Sequence, residues 1–165
     1  MYQKVSAINP ERLEVAEVET LIETYYDKIY KYCYSILRNK HDAEDAVQEV
    51  FFNAMKSGKV TKVENQNAWL YKISYFHCMN KIKRQKLLAF IPFIDNENSS
   101  LAVENEFEDE LQFILARLKP EERALIILRI VENYSFEEIA HIFDKSAATV
   151  RKRYERVKEK IKKLL

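Results

Sequence analysis

The side chains able to do chemistry in this chain fall into blocks of one sign or one type. Near the C-terminus, Arg151, Lys152, Glu155 and Arg156 share a segment with Val150, Tyr154, Val157, Ile161 and Leu164, apolar residues that recur at helical steps. At about 100° per residue the apolar five form one stripe, Lys152, Glu155 and Arg156 lie opposite with Glu159, and Arg151 stands on the shoulder. An arginine or lysine there can donate to guanine O6 and N7, and a glutamate can accept from cytosine N4. Arg153, Lys158, Lys160, Lys162 and Lys163 suit phosphates or plain solvation. A second block runs through Tyr71 and Tyr75, one helical turn apart beside Lys72, Lys81, Lys83 and Arg84, and follows the amide-rich Asn65, Gln66 and Asn67. Rings of that kind stack on unpaired bases while cations follow the backbone of a single strand. A third block is acidic: Asp42, Glu44, Asp45 and Glu49 stand together with no Lys or Arg among them.

Bond-making chemistry has no comparable support. His41, His77 and His141 lack partners at metal-ligand or triad spacing, and no nucleophile motif is present, so neither an enzyme nor a cofactor is expected. The chain holds 1 glycine, Gly58, where average usage of about 7% would give roughly a dozen. Phosphate-cradling loops need several, so nucleotide enzymes of that type are excluded. The scarcity also disfavours tight hairpins and points to an all-helical chain. Cys33 and Cys78 lie in apolar patterns without a C-x-x-C, as reduced core thiols would. No apolar run is long enough for a membrane span, and the mixed charges of the first residues do not spell a signal peptide, so a cytoplasmic location is expected.

These blocks need helices to position them. Ile22, Tyr25, Tyr26, Ile29, Cys33, Ile36 and Leu37 predict a helix from Glu19 to Arg38. Asp42 fits as the N-cap of a second helix ending near Ser57, with Gly58 at the left-handed position after it. Its apolar stripe is Ala43, Ala46, Val47, Val50, Phe51 and Ala54, which turns Asp45, Gln48, Glu49, Phe52 and Lys56 outward. An exposed aromatic ringed by charge is the composition of a protein-binding hot spot, unless the N-terminal segment folds over it. A third helix is expected from Asn67 to Lys86, with Trp69, Leu70, Ile73 and Phe76 on one apolar side and Tyr71, Tyr75, Cys78, Met79 and Ile82 on the other. Tyr71 and Tyr75 fit a core or a strand-contacting role equally. Pro92 and the run Asp95 to Ser100 then break the pattern as an acidic linker.

Beyond the linker, Leu111, Ile114, Leu115 and Leu118 mark a helix that stops before Pro120, and Pro120 suits the first turn of the next. Asn133 fits a left-handed position, Ser135 and Glu138 spell a capping box, and Asp144-Lys145-Ser146 links that helix to the Ala147–Leu165 segment. A short helix, a tight turn and a second helix opened by Ser form a helix-turn-helix. The formal net charge of +1 thus hides acidic and basic segments suited to different partners, or else a set of solvated faces.

Taken in order, Asp42-Ala43-Glu44-Asp45-Ala46-Val47-Gln48-Glu49-Val50-Phe51, Trp69-Leu70-Tyr71-Lys72-Ile73, Leu118 with Pro120 and Arg123, Ser135-Phe136-Glu137-Glu138-Ile139-Ala140 and Thr149-Val150-Arg151 resemble bacterial sigma factors of the extracytoplasmic-function (ECF) group. The resemblance runs from about Ile22 to Leu165. It implies an all-α fold of two small helical domains joined by an acidic linker, the second a helix-turn-helix four-helix domain. The expected boundaries are residues 1–86 for sigma region 2, 87–104 for the linker and 105–165 for sigma region 4. It implies binding to core RNA polymerase, through the clamp helices of its largest subunit and its flap, and promoter-specific initiation. The clamp-facing group would be Asp45, Gln48, Glu49 and Phe52. Minus-ten recognition and melting would map to Glu64, Asn65, Gln66, Asn67, Tyr71, Lys72, Tyr75, Lys83 and Arg84, and minus-thirty-five recognition to Thr149, Arg151, Lys152, Glu155 and Arg156. Promoter DNA, duplex and melted, is the second partner implied, and an anti-sigma protein a third. Phe76 and Asn80 depart from the family's usual Asn and Asp, and Asp144-Lys145 replaces its usual turn glycine. A stand-alone helix-turn-helix regulator would explain the basic C-terminus but not the acidic, aromatic face of the second helix.

Overall fold

The computed structural model describes residues 10–88 and 106–165. The linker expected at 87–104 lies, beyond Leu88, outside the described residues. The first three helices are α1 (Pro10–Leu37), α2 (Lys40–Lys56) and α3 (Gln66–Leu88). Helix α1 begins well before the expected Glu19, because Val18 and Leu21 continue its buried stripe through Ile29, Cys33 and Ile36. It ends at Leu37, because the next residue, Arg38, has a φ of 59°.

Asn39, not Asp42, is the N-cap of α2: its backbone is extended and its side-chain oxygen accepts from the Asp42 backbone N–H at 3.0 Å. Both residue types cap well, and the turn needed after the left-handed Arg38 decides between them. Asp42 instead sits in the first turn, where the helix dipole favours its carboxylate. The expected stripe of α2 is buried throughout, from Ala43 to Ala54. Gly58 has φ +64°, the left-handed value expected of a residue closing a helix.

The other four helices are α4 (Glu106–Leu115), α5 (Pro120–Ile126), α6 (Phe136–Phe143) and α7 (Ala147–Leu164). Pro120 opens α5 while the Lys119 backbone N–H donates to Glu122 Oε2 at 2.8 Å. A π-helical turn, Ile127–Val131, continues α5, a feature that the apolar run there does not announce. Asn133 takes its left-handed turn at φ 57°, and the Ser135–Glu138 capping box opens α6. Asp144 closes α6 at φ 54°, in the place of the missing glycine. Ser146 then accepts from the Thr149 backbone N–H at 3.2 Å and opens α7.

The two groups of helices share one continuous core. Helix α3 packs on α6, and α1 on α5. Arg123 reaches across to the C-terminal end of α1, where its Nε and Nη2 donate to the Ile36 carbonyl at 3.1 and 2.6 Å. That carbonyl is among the last of the helix, which lack partners within it. Burial and the neighbouring Arg38 draw the Arg123 guanidinium down to about 10. Arg38 in turn hydrogen-bonds Gln112, and Lys28 pairs with Glu132 at 3.8 Å.

A side chain added at Gly58 would meet no atom within 4 Å, so substitution there acts through backbone strain alone. Gly58→Ala should lower unfolding free energy by about 1–2 kcal/mol, and Gly58→Asn by less, since Asn tolerates the left-handed region. Urea denaturation of the three proteins measures the order.

Candidate functional site

The acidic face of α2 stands as the angular count places it. Asp45, Gln48 and Glu49 are exposed, and Phe52 keeps 52% of its surface in solvent. The neighbouring Phe51 turns inward and stacks on Tyr26 at 6.1 Å. The face is tied to α3 by Lys81, 3.6 Å from Asp42 and 4.0 Å from Asp45, and by Gln85, whose amide donates to Asp42 at 2.8 Å. Between α2 and α3 lies an open polar cleft bordered by Asp45, Gln48, Glu49, Asn80 and Arg84, with His77 in its wall. Burial chiefly, with Lys81 next, pushes the His77 imidazole below its ordinary 6.5, against the pull of Glu49.

The loop before α3 is fastened at both ends. Asn65 caps the helix by accepting from the Ala68 backbone N–H at 3.0 Å, and the Gln66 amide donates to the carbonyl of buried Val60 at 3.1 Å. Glu64 and Asn65 are exposed; Gln66, Asn67, Trp69 and Lys72 are half-buried; Lys83 and Arg84 are exposed farther along. Trp69 and Lys72 face Glu138, His141 and Ile142 of α6 across a cleft of about 360 Å³.

Tyr71 and Tyr75 do not stand on an open surface. Tyr71 is fully buried, edge-on to Tyr32 at 4.9 Å and to Tyr134 at 5.8 Å. Tyr75 is buried and stacks on Phe143 at 4.1 Å with the rings 22° apart. The buried stripe of α3 is Leu70, Tyr71, Ser74, Tyr75 and Cys78, while Phe76, expected inside, is exposed. The expectation for this helix is thus corrected: its core is shared between α1 and α2 on one flank and α6 on the other. Burial first, then the Glu121 carboxylate, raises the Tyr75 hydroxyl, and Arg153 opposes them.

On α7, Val150 and Val157 are buried and Arg151, Lys152, Glu155 and Arg156 are exposed, as the stripe requires. Arg151 donates to Glu137 at 2.7 Å and lies over the Phe136 ring. Glu155 pairs with Lys158 at 3.1 Å. Thr149 shares a hydrogen bond with Ser146 at 2.8 Å, so it fixes the start of the helix. Arg129 is a residue that sequence reasoning misses, because a single arginine in an apolar run carries no signal. It lies over Phe136 and donates to the Tyr134 carbonyl at 3.0 Å, bracing the turn before α6. Among the described residues no group of His, Cys, Asp or Glu is placed to hold a metal, and Cys33 and Cys78 are buried free thiols.

Two family models match the chain, sigma-70 region 2 over residues 21–87 and sigma-70 region 4 over residues 108–161. RNA polymerase sigma factor SigV of Bacillus subtilis is 30% identical over 136 residues, covering 81% of this chain and 82% of the relative. The chain belongs to the sigma-70 family, in its ECF group. ECF RNA polymerase sigma factor SigW of Bacillus subtilis is 26% identical, covering 88% of this chain and 87% of its own length. ECF RNA polymerase sigma factor SigE of Mycolicibacterium smegmatis is also 26% identical, and there the chain spans 61% of the relative. The fold matches the sigma factor RpoE of Bartonella quintana, solved with the anti-sigma factor NepR, at a TM-score of 0.69 and 23% identity over 88% of this chain and 94% of that one. Region 2 of this sigma-70 protein therefore takes in most of α1, all of α2 and most of α3, and region 4 spans the helices from α4 into α7. No helix among the described residues is long and apolar enough to cross a membrane.

His77 gives region 2 a pH dependence of definite sign. Its folded form resists protonation, so the unfolded chain binds more protons below pH 6.5. Stability is complete above that value and falls as pH drops from it toward the lowered folded value. Urea unfolding of the parent and His77→Gln should diverge across that window, the variant losing less stability on acidification.

Proposed function

We infer that this chain binds core RNA polymerase and directs promoter-specific transcription initiation as an ECF sigma factor. The observation that carries the reading is the pairing of two separate outward faces, Asp45, Gln48, Glu49 and Phe52 on α2 and Arg151, Lys152, Glu155 and Arg156 on α7, in a chain with both sigma regions. The α2 face docks on the clamp helices of the polymerase, with Phe52 as the apolar anchor and the carboxylates setting the orientation. The α7 group reads the minus-thirty-five element in the major groove, Lys152 and Arg156 reaching base edges and Arg151 placed by Glu137. The flap is the proposed polymerase contact of region 4.

The region 2 loop, Glu64 to Asn67, with Lys72, Lys83 and Arg84, tracks the minus-ten strand, and Tyr71 and Tyr75, buried beneath it, hold that surface in shape instead of stacking on its bases. The proposed units are residues 1–86, 87–104 and 105–165, with the acidic middle segment lying in a basic channel of the polymerase. The protein works by binding energy and is not an enzyme, and it acts in the cytoplasm beside the polymerase. An anti-sigma partner is proposed as well; the RpoE relative was captured with one. A stand-alone regulator has no use for the exposed Phe52 and its carboxylates.

Run-off transcription with core polymerase and genomic fragments tests the reading, and specific starts that depend on this protein are expected. Asp45→Lys/Glu49→Lys should abolish binding to core polymerase while leaving the helical spectrum unchanged, and retained binding contradicts the docking face. Arg156→Ala should cost about 1–3 kcal/mol on the cognate minus-thirty-five duplex and relax preference at one base pair. An equal loss on every sequence would make Arg156 a phosphate contact.

A further inference from the structure

We propose that Arg151 reads a guanine of the minus-thirty-five element and that Glu137 and Phe136 of α6 are the positioning residues that aim it. The inference rests on the proposed reading of the major groove by α7. Arg151 is exposed and stands in the N-terminal half of α7, where a recognition helix meets base edges. Its Nη2 donates to Glu137 Oε1 at 2.7 Å, and its guanidinium lies over the Phe136 ring, 5.5 Å from the centroid. A guanidinium carries its N–H groups as a planar fork, so a bond from Nη2 to a carboxylate leaves donors in the same plane for guanine O6 and N7. The charge thus reaches the groove already oriented.

The platform is itself anchored. Arg129, from the π turn, lies over the same ring at 4.3 Å and donates to the Tyr134 carbonyl at 3.0 Å, and Tyr154 of α7 closes on the ring at 5.3 Å. Phe136 opens α6 directly after the capping residue Ser135, so its backbone is set by the Ser135–Glu138 box. Glu137 stands in the first turn of that helix, where the dipole favours a carboxylate. Both groups that touch Arg151 therefore have reasons of their own to stay in place. Stability is not what the pair supplies: Arg151 and Glu137 keep 53% and 65% of their side-chain surface in solvent, and exposed pairs contribute little. Its effect is on direction. A free arginine turns to a phosphate on any sequence, whereas one held at Nη2 and over a ring has fewer directions to lose on binding. The Glu137 carboxylate also repels phosphates when the helix sits out of register, which penalises the wrong sequence.

The full-length chain, assembled with core polymerase, is tested by competition binding to a promoter recovered by run-off and to its single-base-pair variants across the minus-thirty-five element. Arg151→Ala should lower preference at one G·C pair by about tenfold and leave the other positions as they are. Glu137→Ala should lower preference at that same pair by about threefold, and Phe136→Leu, which keeps an apolar side chain but no ring, should act in the same direction. Glu137→Gln, whose amide oxygen still accepts from Arg151, should keep most of the preference. In the Arg151→Ala background Glu137→Ala should change nothing at that pair, and the urea midpoints of both Glu137 variants should match the parent's. Three results overturn the proposal: preference unchanged by Glu137→Ala or by Phe136→Leu, an equal fall on Glu137→Ala when Arg151 is already gone, or a loss from Arg151→Ala that is the same on every sequence, which makes Arg151 a phosphate contact. All three leave sequence preference in the parent holoenzyme. A parent holoenzyme with no preference among the duplexes overturns the reading of the groove by α7, and the proposal with it.

Discussion

The stack of Tyr75 on Phe143 is the contact on which the rest of the molecule depends. It joins the middle of α3 to the end of α6, and around it the cores of the two regions run into one. A buried ring is worth about 1.5–3 kcal/mol, and a well-placed aromatic pair adds roughly 0.5–1.5 more. A seam of Tyr71, Tyr75, Tyr134 and Phe143 therefore outweighs the scattered polar ties that flank it. It also turns residues suited to contact with bases into core residues, and this makes α3 the wall both regions share.

Charge is distributed to suit that arrangement. The acidic face of α2 is braced from α3 by Lys81 and Gln85, which hold the largely covered Asp42, while Asp45, at the edge of Lys81's reach, keeps 70% of its side-chain surface in solvent. The basic face of α7 points away from the core, and the Arg151–Glu137 bond holds one of its donors. Exposed pairs of this kind contribute little to stability, so their value lies in orientation. The near-zero net charge comes from opposed faces kept apart by the helical packing.

Features set by a few neighbouring residues were legible in the sequence. Gly58, Asn133, Ser135, Asp144 and Ser146 take the turn or cap expected of them because capping and left-handed turns are decided within about one helical turn. The buried stripes of α2 and α7 were legible too, since each helix has one core-facing side. The α3 helix was not: with α1, α2 and α6 packed around it, its apolar residues occupy more than one face and no angular count separates core from surface. The N-cap went to Asn39 instead of Asp42 because Arg38 adopts φ 59°, which no local pattern announces. The π turn at Ile127–Val131 was hidden for a similar reason, its extra residue leaving no mark in a run of apolar side chains. Of the candidate groups, the α2 and α7 faces were visible from sequence. The burial of Tyr71 and Tyr75 depends on a neighbour far along the chain.

The most direct measurement is urea unfolding of the free chain, followed in parallel by the fluorescence of half-buried Trp69 in region 2 and by the helical signal of the whole chain. One coincident transition, which Phe143→Ala on α6 shifts by about 3–5 kcal/mol for both probes, is the result predicted for a single core joined through Tyr75 and Phe143. A Trp69 transition that Phe143→Ala leaves in place would contradict the claim that the two regions share one core.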